Sequence, residues 1–262
     1  MTSAAIHSQA FYDGQYSADR YAAYPSAEAH PFRPDLEALL SRYGNSEGKW
    51  LEVGCGRGYL QDVVEDYVGV DVAATVAPLL HKPFRCAPAE RLPFPDGQFD
   101  GIWSYAVLEH VDDPEAALAE MRRVLKPGGV LILAPAWQCR PWAGKEYAWK
   151  PYCDLPRLDR IRKAAIPIRD SVVFRSLFVI PVRLFRLLSY AIRRTPTPFR
   201  TRRLEPNYTE YRAIDADARH AMDPFEAILW FRSRGDQVCS HPGWLRSFWI
   251  RSGAIVVTVN KP

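Results

Sequence analysis

The fold prediction rests on residues 51–58, Leu-Glu-Val-Gly-Cys-Gly-Arg-Gly, where a strand-like run is followed by glycine at every second position. Glycines at 54, 56 and 58 permit a tight turn and a close approach of the backbone to a ligand. Asp71 ends the next predicted strand 13 residues after Gly58, and an acid at that place can accept hydrogen bonds from both hydroxyls of a ribose. The dinucleotide fingerprint GxGxxG is absent, which disfavours NAD and FAD.

Around this stretch, short apolar runs alternate with helical patterns, as is typical of a parallel sheet flanked by helices. Strands are predicted at 49–53, 67–72, 84–87, 99–104 and 129–134, with helices at 59–66 and 114–125. Asp113 and Pro114 suit the cap and first position of the second helix. The pattern resumes with a helix from Asp223-Pro224 to Phe231 and strands at 236–239 and 253–259. The sequence therefore predicts a doubly wound α/β domain.

The composition is that of an ordinary globular protein: 262 residues, 48% apolar and 24% charged. Disorder, collagen-like sequence and coiled coil are excluded as the main organisation. The five cysteines form no CxxC pair, so we expect neither a disulfide framework nor a structural zinc site, and no metal site is predicted. The polar start and the lack of a long apolar run predict neither secretion nor a membrane span, and a reducing cytoplasm fits best.

Charge is distributed unevenly along the chain. The net charge is +4, yet residues 157–203 hold 13 Lys/Arg against two Asp, a local net charge of +11. Such a basic segment indicates an anionic surface or ligand as a partner. It lies within an interruption of about 85 residues, 137–222, which we expect to contain helices of its own.

Residues 171–194 predict an amphipathic helix in which Arg175, Arg183, Arg186, Arg193 and Arg194 share one side. The apolar residues fall opposite, and Pro181 should kink or divide the helix. Three interpretations remain open: contact with an anionic membrane, contact with phosphates of RNA or a nucleotide-linked sugar, and a lid whose apolar side packs on the domain while its arginines are solvated. Aromatic residues on the apolar side, rather than among the arginines, disfavour nucleic acid.

Four motifs occur together between 49 and 137: LEVGCGRG, VGVDVA, AERLPFPDGQFDGIWSYAVLEHV and EMRRVLKPGGVLILAPA. In content, order and spacing they resemble class I S-adenosylmethionine-dependent methyltransferases, in the type 11-like group that includes quinone-biosynthesis enzymes. The resemblance implies a Rossmann-like, mostly parallel seven-stranded sheet with an antiparallel last strand. It also implies methyl transfer from S-adenosyl-L-methionine, which leaves S-adenosyl-L-homocysteine as the product.

The resemblance assigns residues to the cofactor. Gly54, Gly56 and Gly58 would line its methionine and ribose portions, Asp71 would hold the ribose hydroxyls, and Val72 would pack on adenine. Glu52 and Cys55 belong to the same motif and are included as cofactor-binding candidates. The remaining candidates are Ala89 and Glu90 at the adenine edge and Ser104, Tyr105 and Ala106 under the sulfonium. Relatives usually carry Asp immediately before the Ala-Glu pair, where this chain has Pro88, so adenine recognition would rest on Ala89 N–H and Glu90.

An oxygen acceptor needs a general base, and His110 follows the fourth predicted strand at the sheet edge where ligands bind. A structural role in the following turn is the alternative for His110. Tyr16 or Tyr21, in an arm before the first strand, is predicted to cover the cofactor; packing of the arm on the sheet is the alternative.

We divide the chain into an N-terminal arm or lid (1–48), a methyltransferase domain (49–136 and 223–262) and a basic helical insertion that caps the acceptor (137–222). The predicted reaction is O-methylation of a small-molecule or lipid-linked acceptor. A glycan-type acceptor is included because the tail 215–236 is weakly similar to those of bacterial methyltransferases that act on surface glycans. C-methylation of a quinone-like lipid, RNA methylation and a catalytically silent nucleoside-binding module are the alternatives. We expect a cytoplasmic protein, peripheral at the inner face of the membrane, and leave its oligomeric state open.

Overall fold

A computed structural model describes residues 3–17, 26–44, 47–145, 147, 149–193, 195–208 and 215–261. The helices are α1 (Ser3–Ser17), α2 (Arg33–Tyr43), α3 (Pro114–Val124), α4 (Arg157–Ala164), α5 (Ile166–Asp170), α6 (Val172–Arg193), α7 (Pro224–Arg232) and α8 (Trp244–Phe248). The strands are β1 (Trp50–Val53), β2 (Tyr67–Asp71), β3 (Phe84–Cys86), β4 (Phe99–Tyr105), β5 (Leu125–Ala134), β6 (Thr201–Arg203), β7 (His220–Met222), β8 (Gln237–Val238) and β9 (Ile255–Thr258). Short 3-10 helices lie at Ala74–Leu79 and Tyr152–Asp154.

Seven strands form one sheet in the order β3-β2-β1-β4-β5-β9-β8. The first five strands are parallel, and β9 runs antiparallel to both β5 and β8. The predicted mostly parallel, doubly wound sheet with an antiparallel last strand is therefore confirmed. The strand order reverses between β1 and β4, so the loops after these two strands diverge and leave a crevice at their carboxyl ends.

Helices cover both faces of the sheet. On one face, α3 and α7 bury Leu118, Met121, Phe225 and Trp230 against the strands. On the other face, α2 and the segment after the glycine loop pack against the buried rings of β1 and β4. Burial on both sides explains why the parallel strands are recognisable in the sequence as continuous apolar runs.

The helix predicted at 59–66 is wrong. These residues form successive turns, with Gln61 N–H bonded to Gly58 O and Val63 N–H bonded to Leu60 O. Leu60 and Val64 are nevertheless buried, four residues apart, so the apolar spacing that predicted a helix is used by a tighter, irregular path. The Gln61 side chain fixes this path, because its carbonyl accepts from the backbone N–H groups of His81 and Lys82.

The insertion contains the expected helices, α4 to α6, and a two-stranded sheet of β6 and β7. Pro181 lies within the single helix α6, so the predicted division of this segment does not occur. The arginine side of α6 faces the protein. Arg183 and Arg186 are each 4% exposed, whereas apolar residues on the opposite side, such as Leu177 and Leu188, are more than 60% exposed.

Two ion pairs explain this orientation. Arg183 binds the carboxylate of Asp223, which caps α7, and its guanidinium also donates to the carbonyls of Phe248 and Ile250. Arg186 forms a bidentate ion pair with Glu226, with nitrogen–oxygen distances of 2.8 and 2.7 Å. The lid interpretation with solvated arginines and a packed apolar side is therefore wrong for these residues, because the carboxylates that match the arginines belong to the domain.

We expect Arg186→Leu to lower the free energy of unfolding by about 3–5 kcal/mol, since it leaves the buried Glu226 carboxylate unpaired. Chemical denaturation measures the change. The double variant Arg186→Leu/Glu226→Leu should recover most of the loss, and Arg162→Leu, which breaks the exposed pair with Asp159, serves as the matched control with little effect. A double variant as unstable as the single one would contradict the role assigned to the pair.

Candidate active site

The loop after β1 needs its glycines. Gly54, Gly56 and Gly58 have φ values of 78°, 47° and 72°, in the left-handed region that favours glycine. A Cβ at position 54 would overlap the side chain of Val107, and one at position 56 would lie 2.8 Å from the Tyr16 hydroxyl oxygen. Glycine is therefore needed at 54 and 56 because the side chains of Val107 and Tyr16 lie against the backbone there.

Asp71 ties this loop to the end of β2. Its two carboxylate oxygens accept the N–H groups of Gly56 and Ala73, each at 2.9 Å. Burial raises the pKa of Asp71, although these backbone donors oppose the shift. Each oxygen keeps a further lone pair beyond its backbone bond, so the carboxylate is held in place and can still accept from hydroxyl groups.

Glu52 and Cys55 lie below the loop in the protein interior. The Glu52 carboxylate is 4% exposed and accepts a hydrogen bond from the Tyr67 hydroxyl. Burial raises the pKa of Glu52 to about 8 and raises that of the Cys55 thiol well above its ordinary value. The structure thus gives both residues a place in the support of the loop.

The candidates for the adenine edge follow β3. Ala87 N–H donates to Asp71 O, which brings the segment beside the end of β2, where Val72 is half-buried. Ala89 is buried in the core. Glu90 uses one carboxylate oxygen to accept the N–H groups of Asp112 and Asp113, at 2.7 and 3.3 Å. Glu90 therefore joins this edge to the segment that follows His110.

At the end of β4, Ser104 is buried and Ala106 has a φ of 53°. A left-handed conformation in a residue other than glycine is strained and is maintained by its surroundings. The Tyr105 side chain points to the other face of the sheet, where its ring stacks on that of Phe32 with the ring centroids 4.7 Å apart. The backbone of this segment, more than the Tyr105 ring, borders the crevice.

His110 lies in a cluster of carboxylates. Its Nδ1 is 3.3 Å from Asp217 Oδ2, and its Nε2 is 3.9 Å from Glu109 Oε1. Glu109 also accepts the N–H of Ala136 in the loop after β5, and the Tyr12 hydroxyl donates to Asp217. Residues from α1, from the loops after β4 and β5, and from the segment before β7 therefore meet at this point.

The electrostatics of the cluster favour a charged imidazole. Burial alone would lower the pKa of His110, but the carboxylates of Asp217, Glu109 and Asp215 outweigh it and raise the pKa above 6.5. Burial raises the pKa values of Glu109 and Asp215. The histidine can thus take up a proton, and the resulting imidazolium is stabilised by its neighbours.

Glu109, His110 and Asp215 also offer one ligand-type atom each within 4.8 Å of one another. This spacing could hold a cation, and it equally suits a histidine oriented by acids. The expectation of no metal site therefore stays a prediction.

Sequence reasoning did not join Asp215 and Asp217 to His110, because they lie more than 100 residues apart along the chain. From the sequence, the acids Asp215, Asp217 and Asp223 could bind sugar hydroxyls or a divalent metal, with capping of a helix as the alternative for Asp223. The cap is confirmed, because the Asp223 side chain accepts from Phe225 N–H at the start of α7. Backbone strain near the cluster could not be predicted from the sequence either: Gln138 and Asp215, like Ala106, have positive φ. His220 lies near the cluster but bridges Thr201 and the Asp112 carbonyl.

The N-terminal helix reaches both halves of the site. Tyr16 lies over Gly56, and Asp13 accepts from the backbone and hydroxyl of Thr75 beyond β2. Tyr12 reaches Asp217 on the other side. Tyr21, the second predicted covering residue, lies outside the described residues.

We expect Glu52→Gln to flatten the pH dependence of stability. The pKa of Glu52 is about 8 in the folded protein and 4.5 ordinarily, so between pH 4.5 and 8 the folded protein keeps a proton on Glu52 that the unfolded chain releases. This contribution is complete below pH 4.5 and is lost as the pH rises to 8, at about 1.4 kcal/mol per pH unit in wild type. Denaturation at a series of pH values measures the difference; parallel curves for the two proteins would contradict the assignment.

Comparison with known proteins agrees with this geometry. A family model described as a methyltransferase domain matches residues 51–133. The ubiquinone biosynthesis O-methyltransferase of Cereibacter sphaeroides is 35% identical over 178 residues, which cover 56% of this chain and 70% of that protein. An uncharacterized methyltransferase of Schizosaccharomyces pombe is 33% identical over 134 residues, 42% of this chain and 48% of that protein.

The ubiquinone/menaquinone biosynthesis C-methyltransferase of Bordetella avium is 42% identical over 81 residues, 25% of this chain and 32% of that protein. Apart from the Cereibacter enzyme, these matches span about half of the relatives' own length or less. The matched family, the strand order and the glycine loop agree with one another: the chain belongs to the class I S-adenosylmethionine-dependent methyltransferases.

Proposed function

We propose that the protein transfers the methyl group of S-adenosyl-L-methionine to a hydroxyl oxygen of a small-molecule or lipid-linked acceptor, with His110 as the general base. The position of His110 carries this proposal, since it lies at the carboxyl edge of the sheet with Asp217 facing its Nδ1. A carbon acceptor that is already nucleophilic does not require a base, whereas a hydroxyl does. A histidine oriented by a carboxylate is the arrangement that removes such a proton.

The residues present fit the cofactor. The glycine loop has left-handed backbone at 54, 56 and 58, and Asp71 beside it is fixed by backbone donors while its remaining lone pairs can accept from ribose hydroxyls. We assign Gly54, Gly56 and Gly58 to the methionine and ribose portions. Val72, Ala89 and Glu90 are assigned to adenine, and Ser104 and Ala106 to the sulfonium end. Tyr16 covers the loop, while Glu52 and Cys55 support it from below.

When bound, the cofactor supplies an activated methyl group on a sulfonium. The chain's own part is to position the acceptor oxygen in line with that methyl group and to take up its proton. His110 Nε2 accepts the hydroxyl proton, and the carboxylate of Asp217 at Nδ1 stabilises the imidazolium that forms. α1 excludes water from both halves of the site through Tyr16 and Tyr12.

The acceptor side of the proposal follows from the chain's organisation. The arm 1–48 closes over the cofactor, the domain 49–136 and 223–262 binds it, and the insertion 137–222 caps the acceptor. A cytoplasmic location belongs to the same proposal. The relatives named for ubiquinone biosynthesis support a lipid-like acceptor, and C-methylation of a quinone-like lipid is the second candidate because the Bordetella relative is a C-methyltransferase.

Calorimetric titration with S-adenosylmethionine and S-adenosylhomocysteine tests the cofactor site. We expect micromolar binding by wild type and a loss of about tenfold or more in Asp71→Asn, since the amide cannot accept from both hydroxyls while holding the loop. Asp62→Asn, an exposed acid elsewhere on the domain, is the matched control and should bind as wild type does. Equal binding by the Asp71 variant would remove that residue from the site, and no binding by folded wild type would contradict the cofactor site. Binding without turnover on any acceptor would favour the catalytically silent nucleoside-binding module.

The general base is tested by kinetics on a panel of phenolic and glycan hydroxyl acceptors. His110→Asn should lower kcat by about 10²–10⁴-fold without changing cofactor affinity. In wild type the rate should rise with pH through the raised pKa of His110, because the base must be unprotonated. Asp217→Asn removes a charge that raises this pKa, so the rise should move to lower pH.

A methylated carbon in the product, with full activity in His110→Asn, would replace O-methylation by C-methylation. A chelator added to wild type should leave the rate unchanged if the histidine and its carboxylates act alone. A rate that falls with the chelator and returns with a divalent cation would instead assign Glu109, His110 and Asp215 to a metal.

A further inference from the structure

Helix α6 exposes a continuous apolar face to solvent. We define the apolar face as its exposed apolar side chains: Val173, Leu177, Phe178, Val182, Leu184, Phe185, Leu188 and Ile192. Their exposures range from 48% for Leu184 to 80% for Ile192. Their spacing along α6 places all but Val182 on the side of the helix away from Arg183 and Arg186, while Val182 lies at the edge nearest Arg186. A large exposed apolar patch of this kind marks an interaction site rather than an ordinary surface.

The orientation of α6 is enforced rather than incidental. The Arg183–Asp223 and Arg186–Glu226 pairs hold the polar side of the helix against α7, so the helix cannot roll to bury its leucines without leaving the buried Glu226 and the partly exposed Asp223 unpaired. Helix α8 packs beside α6, where the ring centroids of Tyr190 and Trp244 are 5.5 Å apart. Trp244, Leu245 and Trp249 are themselves exposed.

The elements next to α6 carry exposed basic side chains. Helices α4 and α5 contact each other and lead into α6, and their Arg157, Arg160, Arg162 and Arg169 are exposed. At the other border, Arg246 lies between the exposed side chains of α8, and Arg251 lines a pocket with Val172 and Trp249. Exposed apolar residues of α4 and α5, Leu158, Ile161 and Ile168, add to the surface.

We propose that the apolar face of α6, with its basic border, docks this protein on the surface of an anionic lipid bilayer. Apolar side chains would enter the acyl boundary, the arginines would meet lipid phosphates, and the exposed tryptophans suit the interface. No helix among the described residues is long and apolar enough to cross a membrane. Charge favours the bilayer over a second copy of this chain, because two copies would bring like-charged arginine borders together.

The docked face adjoins the acceptor side of the site. The pocket at the start of α6 is lined by Val172, Arg175 and Gln138, and the next residue, Cys139, has its Sγ 3.9 Å from Asp215 Oδ2. A lipid-linked acceptor would therefore reach the cluster from the membrane side. This last step rests on the proposed function, whereas the docking itself does not, and the test uses no cofactor or acceptor.

Vesicle co-sedimentation of the full chain tests the proposal. Wild type should bind vesicles made of phosphatidylglycerol mixed with phosphatidylcholine, and this binding should weaken at high salt. Its binding to vesicles of phosphatidylcholine alone should be weak. The variant Leu177→Ser/Phe185→Ser/Leu188→Ser should bind at least about tenfold more weakly, since three apolar side chains no longer leave water. Leu79→Ser, an exposed leucine outside this surface, is the matched control and should bind as wild type does.

Tryptophan fluorescence provides a second readout that does not depend on whether the triple variant folds. Brominated acyl chains in the vesicles should quench wild type, and Trp249→Phe should lose part of this quenching. No vesicle binding by wild type, or equal binding by the triple variant, would overturn the proposal. A wild-type dimer in analytical ultracentrifugation that the triple variant abolishes, without vesicle binding, would assign the face to a second copy instead.

Discussion

The reversal of strand order between β1 and β4 is the constraint on which the site depends. Because the chain leaves these neighbouring parallel strands in opposite directions, the loops 54–58 and 106–110 touch where Gly54 meets Val107 and then diverge, which leaves a crevice at the carboxyl ends of the strands. Asp71, at the end of the next strand, fixes one wall through Gly56 and Ala73. His110 occupies the other wall. In the function that we propose, the sheet thereby separates cofactor recognition at Asp71 from proton removal at His110.

The acceptor half of the site is assembled from distant segments. Tyr12, His110 and Asp217 meet although they lie in α1, after β4 and before β7. The ion pairs of α6 with α7 have a related effect, because they attach the long insertion to the domain through Asp223 and Glu226. Any other orientation of α6 would leave Glu226 as an unpaired buried carboxylate, which is strongly destabilising. This constraint leaves the apolar side of α6 to face outward.

The sheet and the cofactor loop could be predicted from the sequence because their signals are local. Parallel strands buried on both faces give apolar runs, and the turn after β1 needs glycine at fixed positions. The prediction of a helix at 59–66 is wrong because Leu60 and Val64 have helical spacing, whereas the hydrogen bonds of the Gln61 side chain favour turns. Periodicity identified the two sides of α6 but not which side faces the protein, since that depended on Asp223 and Glu226. The partner of His110 could not be predicted, because the contact with Asp217 is purely tertiary.

The central claim is that the crevice between the β1 and β4 loops holds S-adenosylmethionine and directs its methyl group toward His110. A crystal structure of the complex with S-adenosylhomocysteine tests it most directly. The account predicts the ribose hydroxyls on Asp71, the amino-acid portion along 54–58, and the sulfur facing the His110–Asp217 cluster. A ligand bound elsewhere, or one whose sulfur points away from His110, would contradict it.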